Sequence, residues 1–274
     1  MGQKVAIVSN KPQTTRNRIL AVVNRPSGQF ALFDTPGIHK PMHRMNRRML
    51  AAAESSLDGV DLALWLVDVT QPYGPGDRHV RKILKQSGCK AMLGINKIDA
   101  LPKPRILPVI EQYRGLLDFV EVIPISALKG ENVELLAERI LAQLPEGERL
   151  YPEDFLTDRG ERFFVAEMIR EQVLHHTRDE LPYATGVLIE SFREEAKLVR
   201  IEAAILVERA SQKGIVIGRS GAMLKAIGSA ARREIEAFLR AKVFLGLFVK
   251  VREDWRENPR ALDEMGLERG GRNA

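Results

Sequence analysis

The sequence predicts two domains in series, an α/β domain built on a mainly parallel sheet and then a smaller α+β domain. Three observations carry that reading. From Lys4 to about Leu144, short apolar or β-branched runs alternate with longer amphipathic stretches, the pattern of strands joined by helical crossovers. Residues 145–162, PEGERLYPEDFLTDRGER, break that rhythm with two prolines, two glycines and dense charge, as a domain boundary does. Beyond them the order changes to a helix, two strands, a glycine turn between helical segments, and a last strand. We therefore expect a first domain over 1–147, a linker over 148–162, a second domain over 163–256 and a charged tail over 257–274.

The strand runs of the first part are VAIVS (5–9), FALF (30–33), LALWLVD (62–68), AMLGIN (91–96) and EVIPIS (121–126). Three of them are nearly continuous apolar runs, the mark of strands covered on both faces. Helical segments fall at 45–57, 77–86, about 103–117 and 133–144. In the second part a helix over 164–175 leads to strands at 184–192 and 199–209. The second of these alternates Val199, Ile201, Ala203, Ile205 and Val207 against Arg200, Glu202 and Glu208. The turn containing GRSG (218–221), a basic helix over about 222–239 and a strand at 243–251 follow. The tail beyond Trp255 is charged and glycine-rich, and fraying is expected there.

With 274 residues, 28% charged and 45% hydrophobic, the chain has the composition of a soluble globular protein with room for two cores. It contains no run of eighteen apolar residues and no layout of a signal peptide. Met1-Gly2 is not a myristoylation start, because Ala6 stands where Ser or Thr is needed. The expected compartment is the cytoplasm. Cys89, the single cysteine, forbids an internal disulfide and reads as a small packed residue. Net charge is +6, unevenly spread: residues 1–50 hold nine Lys or Arg and one acid, Asp34. Ser211 to Lys250 holds eight basic residues against two acids. Both clusters suit a polyanion, although a charge run is also what a solvated face looks like.

Candidate chemistry sits at the ends of strands. Asp34, Thr35, Pro36 and Gly37 follow FALF directly, and an Asp-x-x-Gly so placed can sense a γ-phosphate and its magnesium. NKID, Asn96, Lys97, Ile98 and Asp99, follows AMLGI. The Asp99 carboxylate can accept from N1 and N2 of guanine while Asn96 meets the ring edge and the Lys97 stem covers the base plane. Adenine cannot make that pair. As a bare tetrapeptide NKID is also an ordinary loop sequence; its place after a buried strand, downstream of DTPG, raises the match. Ser126, Ala127 and Leu128 end the next strand, where their backbone can reach the other edge of a base. Alone, G-x-x-G is a common helix-entry turn. Between Ile215, Val216, Ile217 and a helix bearing Lys225, Arg232 and Arg233, however, Gly218, Arg219, Ser220 and Gly221 read as a backbone clamp for a sugar-phosphate chain. His39, His43, His79, His175 and His176 show no ligand spacing, and Trp65 and Trp255 read as packing residues.

QTTR (13–16), DTPGI, NKID and SAL resemble the second to fifth motifs of a translation-factor-class GTPase, and the C-terminal half resembles a type II KH domain. Together they resemble the Era family of bacterial ribosome-assembly GTPases, from Gly2 to about Leu267. The resemblance implies a P-loop-NTPase-like α/β domain, incomplete in this chain, followed by an α+β KH domain. It implies GTP with Mg²⁺ as the cofactor, Thr15 as the magnesium and γ-phosphate contact, Asp34 as a magnesium holder through water, and the Gly37 backbone at the γ-phosphate. Ile38 stands where Ras-type GTPases keep a catalytic Gln, which leaves no side chain to orient the attacking water. The implied partners are guanine nucleotide, a single-stranded segment near the 3′ end of 16S ribosomal RNA, and the 30S subunit. A monomer with peripheral contact to the inner membrane surface completes the expectation.

One departure matters. No G-x-x-x-x-G-K-[ST] occurs in the chain. In the family that loop lies between a first strand and first helix that both precede the position of Gly2. It supplies N–H groups, a Lys and a hydroxyl to the phosphates and magnesium. Losing three or four charge-assisted hydrogen bonds lowers affinity by roughly 10³-fold or more. Without the first strand, two apolar strand edges must face a gap or close up. We therefore expect a reading frame that opens upstream of Met1. Two function classes stand open on the sequence: a GTPase that binds small-subunit ribosomal RNA and assists 30S assembly, and a non-catalytic KH-type RNA-binding protein with a remnant GTPase domain.

Overall fold

The computed structural model describes residues 4–38 and 41–268; the positions of Gly2 and His39 lie outside them. The first part opens with an antiparallel hairpin, β1 (Ile19–Arg25) and β2 (Gly28–Asp34), paired from Ile19 with Asp34 to Arg25 with Gly28. Then come α1 (Arg44–Ser55), β3 (Ala63–Asp68), α2 (Pro75–Ser87), β4 (Ala91–Asn96), α3 (Lys103–Arg114), β5 (Phe119–Pro124) and α4 (Val133–Gln143). Strands β3, β4 and β5 form a parallel sheet in that order. Their apolar runs do what continuous runs predict: Met92, Leu93 and Ile95 are fully buried, Leu93 and Ile95 in one core with Trp65, which is set edge-on to Tyr113, and Met92 on the opposite face. Helix α2 is delimited by its own sequence, with Pro75 in the first turn, the Asp77 carboxylate accepting from Gly74 N at 2.8 Å, and a left-handed Gly88 at the end.

Two expectations fail here. VAIVS is not a strand: Val5 and Ile7 are buried while Val8 is 69% exposed, and the segment lies as a strap on the second domain. Its alternation is satisfied by a helix surface, with no strand at hand to pair with. The run ILAVVNR, by contrast, is β1, which the sequence reading passed over. The hairpin stands outside the parallel sheet, and no ladder joins β2 to β3. It reaches the sheet through side chains instead, Val23 and Phe30 packing with Met92, Ile123, Leu136 and Ile140. The free edge of β1 is covered by the linker: Val22 N donates to Leu156 O at 2.9 Å, and Gln29 and Tyr151 exchange hydrogen bonds.

The second part runs α5 (Glu161–His176), α6 (Leu181–Ala184), β6 (Gly186–Glu194), β7 (Val199–Val207), α7 (Ala210–Ile217), α8 (Ala222–Leu239), β8 (Val243–Val251) and α9 (Pro259–Glu264). Strand β7 is central, antiparallel to β6 and parallel to β8. One face of this sheet carries Ile201, Ala203 and Ile205 under α5 and α8, whose inward stripe is Ile227, Ala231 and Ile235, spaced by four as a helix face requires. The other face carries Ala204 and Leu206, and it buries Met45 and Met49 of α1 together with Trp255, Ala261, Leu262 and Leu267. The tail therefore does not fray through residue 267. Apolar positions 261, 262 and 267 fold it back, with Asn258 capping α9 through Arg260 N and Ala261 N.

Candidate functional site

The base-recognition end is built on the last residues of β4 and β5. Asn96 Oδ1 accepts from Ala127 N at 3.0 Å and from Lys97 N at 2.7 Å, so one side chain ties the two strand ends together. Ser126, fully buried, donates its hydroxyl to Asp99 Oδ1 at 2.6 Å and accepts from Lys129 N at 3.1 Å. That fixes the Asp99 carboxylate while the residue remains exposed, and its two oxygens keep lone pairs for the N1 and N2 donors of guanine. Ile98 is buried and its N–H donates to Ile125 O, anchoring the short 3₁₀ turn Ile98–Ala100. Lys97 adopts a left-handed φ of 67° and stretches back to Asp68 Oδ2 at 2.7 Å. Burial alone would push the Asp68 carboxyl up; Lys97 and Thr70 outweigh it and hold the carboxyl below its ordinary range. Asp68 and Thr70 escaped the sequence reading because no motif spaces them from NKID. Ala127 and Leu128 are exposed, as a backbone rim around a planar ligand would be.

The phosphate end gathers at the C-terminus of β2. Thr15 Oγ1 donates to Asp34 Oδ2 at 3.1 Å. Asp34 keeps a solvent-exposed face, yet its surroundings desolvate the carboxyl enough to raise its pKa, against the hydrogen bonds from Thr15 and the Thr35 backbone. Thr35 and Ile38 are half-buried, Pro36 is buried, and Gly37 is exposed. No group of three His, Cys, Asp or Glu converges among the described residues. One hydroxyl beside one carboxylate nevertheless suits Mg²⁺, which keeps several waters and takes further oxygens from substrate phosphates. Among the described residues no hydrogen bond joins this pair to the base-recognition network.

The candidate RNA clamp is the turn between α7 and α8. Gly218 (φ 72°, ψ 174°) ends α7, Ser220 is left-handed (φ 50°), and Gly221 (φ 78°) opens α8. A Cβ on Gly218 would lie 2.6 Å from Met223 Cβ and 2.9 Å from Met223 N, so the turn is as tight as backbone allows. Arg219 and Ser220 are exposed, as are Lys225, Arg232 and Arg233 on α8. First-turn N–H groups of α8 and these cations share the solvent side of a helix whose other side is core.

What the sequence missed is the strap. Lys4 pairs with Glu171, Val8 N donates to Glu171 Oε1 at 2.8 Å, and Lys11 donates to Leu174 O and Thr177 O. Arg16 is buried and donates to Thr185 O at 2.8 Å and Pro182 O at 3.2 Å. Burial, with Arg170 beside it, brings its pKa down to about 9. Arg170 in turn donates to Thr14 O. Thus three of the nine cations that suggested a polyanion face are occupied by α5 and by the segment after it. The signal available was Glu167 and Glu171, two carboxylates spaced by four on one helix.

Comparison with known proteins agrees with this architecture. The family model described as "50S ribosome-binding GTPase" matches residues 1–97, and the model described as "KH domain" matches residues 180–256. GTPase Era of Syntrophus aciditrophicus is 45% identical over 268 residues, covering 97% of this chain and 88% of that protein. GTPase Era of Geobacter metallireducens is 49% identical over 268 residues, covering 97% and 90%. A crystal structure of Era in complex with MgGDPNP and nucleotides 1506–1542 of 16S ribosomal RNA superposes with a TM-score of 0.93 at 38% identity, covering 97% of this chain and 91% of that one. An Aquifex aeolicus Era variant bound to GDP·AlF4⁻ superposes with a TM-score of 0.92 at 37% identity, covering 97% and 92%. With a GTPase domain followed by a KH domain and this similarity over nearly its whole length, the chain belongs to the Era GTPase family.

Proposed function

We propose that the chain is a guanine-nucleotide-binding protein that holds small-subunit ribosomal RNA on its KH domain and assists 30S assembly. The observation that carries this reading is the network of Asn96, Ala127, Asp99 and Ser126. It presents a fixed carboxylate and a strand-end backbone to the edge of a guanine base. The related Era structure with MgGDPNP and a 16S ribosomal RNA fragment supports both ligands. Mg²⁺, when bound with GTP, would neutralise charge on the phosphates; Thr15 and Asp34 are the residues that would hold it. Ile38 contributes no group to orient water, so hydrolysis would rest on positioning and on the phosphate-holding residues. We further propose the domain limits 1–147 and 163–256, a monomer, and a cytoplasmic setting with peripheral contact to the inner membrane face. No helix among the described residues is long and apolar enough to cross a membrane.

Titration of the 274-residue chain with fluorescent GTP and ATP analogues tests the reading. The expected result is guanine-selective binding, roughly 10³-fold weaker than a site with a complete phosphate cradle gives, with selectivity lost in Asp99→Ala. Equal affinity for both bases would overturn the base site. Tight, magnesium-dependent binding would instead refute the weak phosphate end.

A further inference from the structure

We infer that the groove between α1 and α9 is a second nucleic-acid contact, one that grips the phosphate backbone of double-stranded RNA. It is an open groove of about 610 Å³ whose walls carry Arg44, Arg47 and Arg48 from α1 and Arg260 from α9, with Ala51, Pro259 and Asp263 between them. Positions 44, 47 and 48 fall on one helix face, about 5–6 Å apart at Cβ, so their guanidinium groups form a short ladder. The buried Met45 and Met49 hold that helix on the second domain, and the two walls therefore keep their spacing.

The charge balance favours an anion. Arg48 is bound to Asp263 at 2.7 Å and to Leu267 O at 3.0 Å, and Arg47 reaches Glu257 at 3.1 Å. Neither Arg44 nor Arg260 has a side-chain partner among the described residues. Among the described residues, four guanidinium groups thus meet two carboxylates, Asp263 in the groove and Glu257 outside its lining, leaving an excess of two. Arg is the side chain suited to bidentate phosphate contact.

The lining also says which polyanion. Among the described residues no aromatic ring and no amide side chain lines the groove, so its described lining suits a sugar-phosphate backbone rather than base stacking or edge readout. Duplex RNA presents phosphates without free bases and is recognised largely through them and its shape. A membrane surface fits worse, because the groove is concave and its apolar lining is confined to Ala51 and Pro259, with no apolar face to insert. The site is separate from the GRSG turn, and it accounts for three further cations of the basic first fifty residues. It rests on the proposed RNA-binding role only in taking RNA as the polymer, and its test is independent of the KH turn.

The test compares the full chain with Arg44→Gln/Arg260→Gln, both positions being exposed so that folding is preserved. Binding to a blunt-ended RNA duplex and to a short single-stranded oligonucleotide is measured between 50 and 200 mM salt. Loss of two phosphate contacts lowers the slope of log K against log salt for the duplex by about 1.8 and makes its fall over that range roughly tenfold shallower. The short oligonucleotide should bind as before. An unchanged duplex slope overturns the groove, as does a variant whose loss appears only on anionic lipid vesicles. In Arg219→Asp/Ser220→Asp the pattern should reverse. If the oligonucleotide is indifferent to that change while duplex binding still depends on Arg44 and Arg260, the GRSG reading fails and the groove stands.

Discussion

Replacing each glycine of the GRSG turn by alanine separates two costs that the sequence alone cannot distinguish. Gly218 combines φ 72° with ψ 174°, a region only glycine occupies comfortably, at about 1–3 kcal/mol for another residue. Its added Cβ would also stand 2.6 Å from Met223 Cβ and 2.9 Å from Met223 N. The obstacle includes backbone in the first turn of α8, so it cannot swing away, and overpacking adds about 1–3 kcal/mol. Gly221 has φ 78° and ψ 7° with nothing within 4 Å of the added atom, so the left-handed penalty of about 1–2 kcal/mol is the whole effect. Gly218→Ala should therefore destabilise the KH domain by about 2–6 kcal/mol, clearly more than Gly221→Ala. Denaturant unfolding followed by the fluorescence of Trp255, which is fully buried in that domain, measures both in a Trp65→Phe background. Gly218→Ala costing no more than Gly221→Ala would refute the argument that the turn is closed by contact with Met223.

Two further expectations follow from named contacts. Glu171 is 3% exposed at its side chain and holds both Lys4 and the Val8 N–H; Glu171→Ala should release the strap and speed hydrogen exchange at the Val8 amide by about 10–100-fold, as for a lost charge-assisted hydrogen bond. Unchanged exchange would show that residues 5–7 hold the strap by packing alone. The Arg256 fork holds the Glu208 carboxyl below its ordinary 4.5, against a smaller opposing effect of burial. A carboxylate depressed in the folded state stabilises above its unfolded pKa and loses that contribution as pH falls through the folded value. Stability should therefore decline below about pH 4.5 less steeply in Glu208→Gln, as read from thermal unfolding between about pH 3 and 7. A slope as steep as that of the unaltered chain would remove this pair from the acid limb.

Which parts of the molecule the sequence announced follows from the range of the interactions. NKID and SAL were legible because each sits where a buried strand ends, and a strand that must be covered on both faces writes a continuous apolar run such as AMLGI. GRSG was legible because positive-φ backbone needs glycine and the following helix shows its stripe at 227, 231 and 235. Strand β1 was misjudged for the opposite reason. ILAVVNR is as apolar as its neighbours, and only the turn at Pro26 and Ser27 tells a hairpin from a crossover. VAIVS alternates like a strand, but alternation records only that every second residue is covered; here the cover is α5, with the strap's partners more than 160 positions away. The same long-range contacts put Thr15 in physical connection with the RNA-binding domain. Thr14 O accepts from Arg170, and Arg16 is buried against Pro182 and Thr185. The hydroxyl that meets Asp34 is therefore held between two residues fastened to the second domain. Two residues further along α5, Gln172 donates to Glu234 of α8 at 2.6 Å, next to the exposed Arg232 and Arg233. Thr15 thus sits in a segment tied to α5 and to the turn before β6, and the cations in the strap are spent on that linkage.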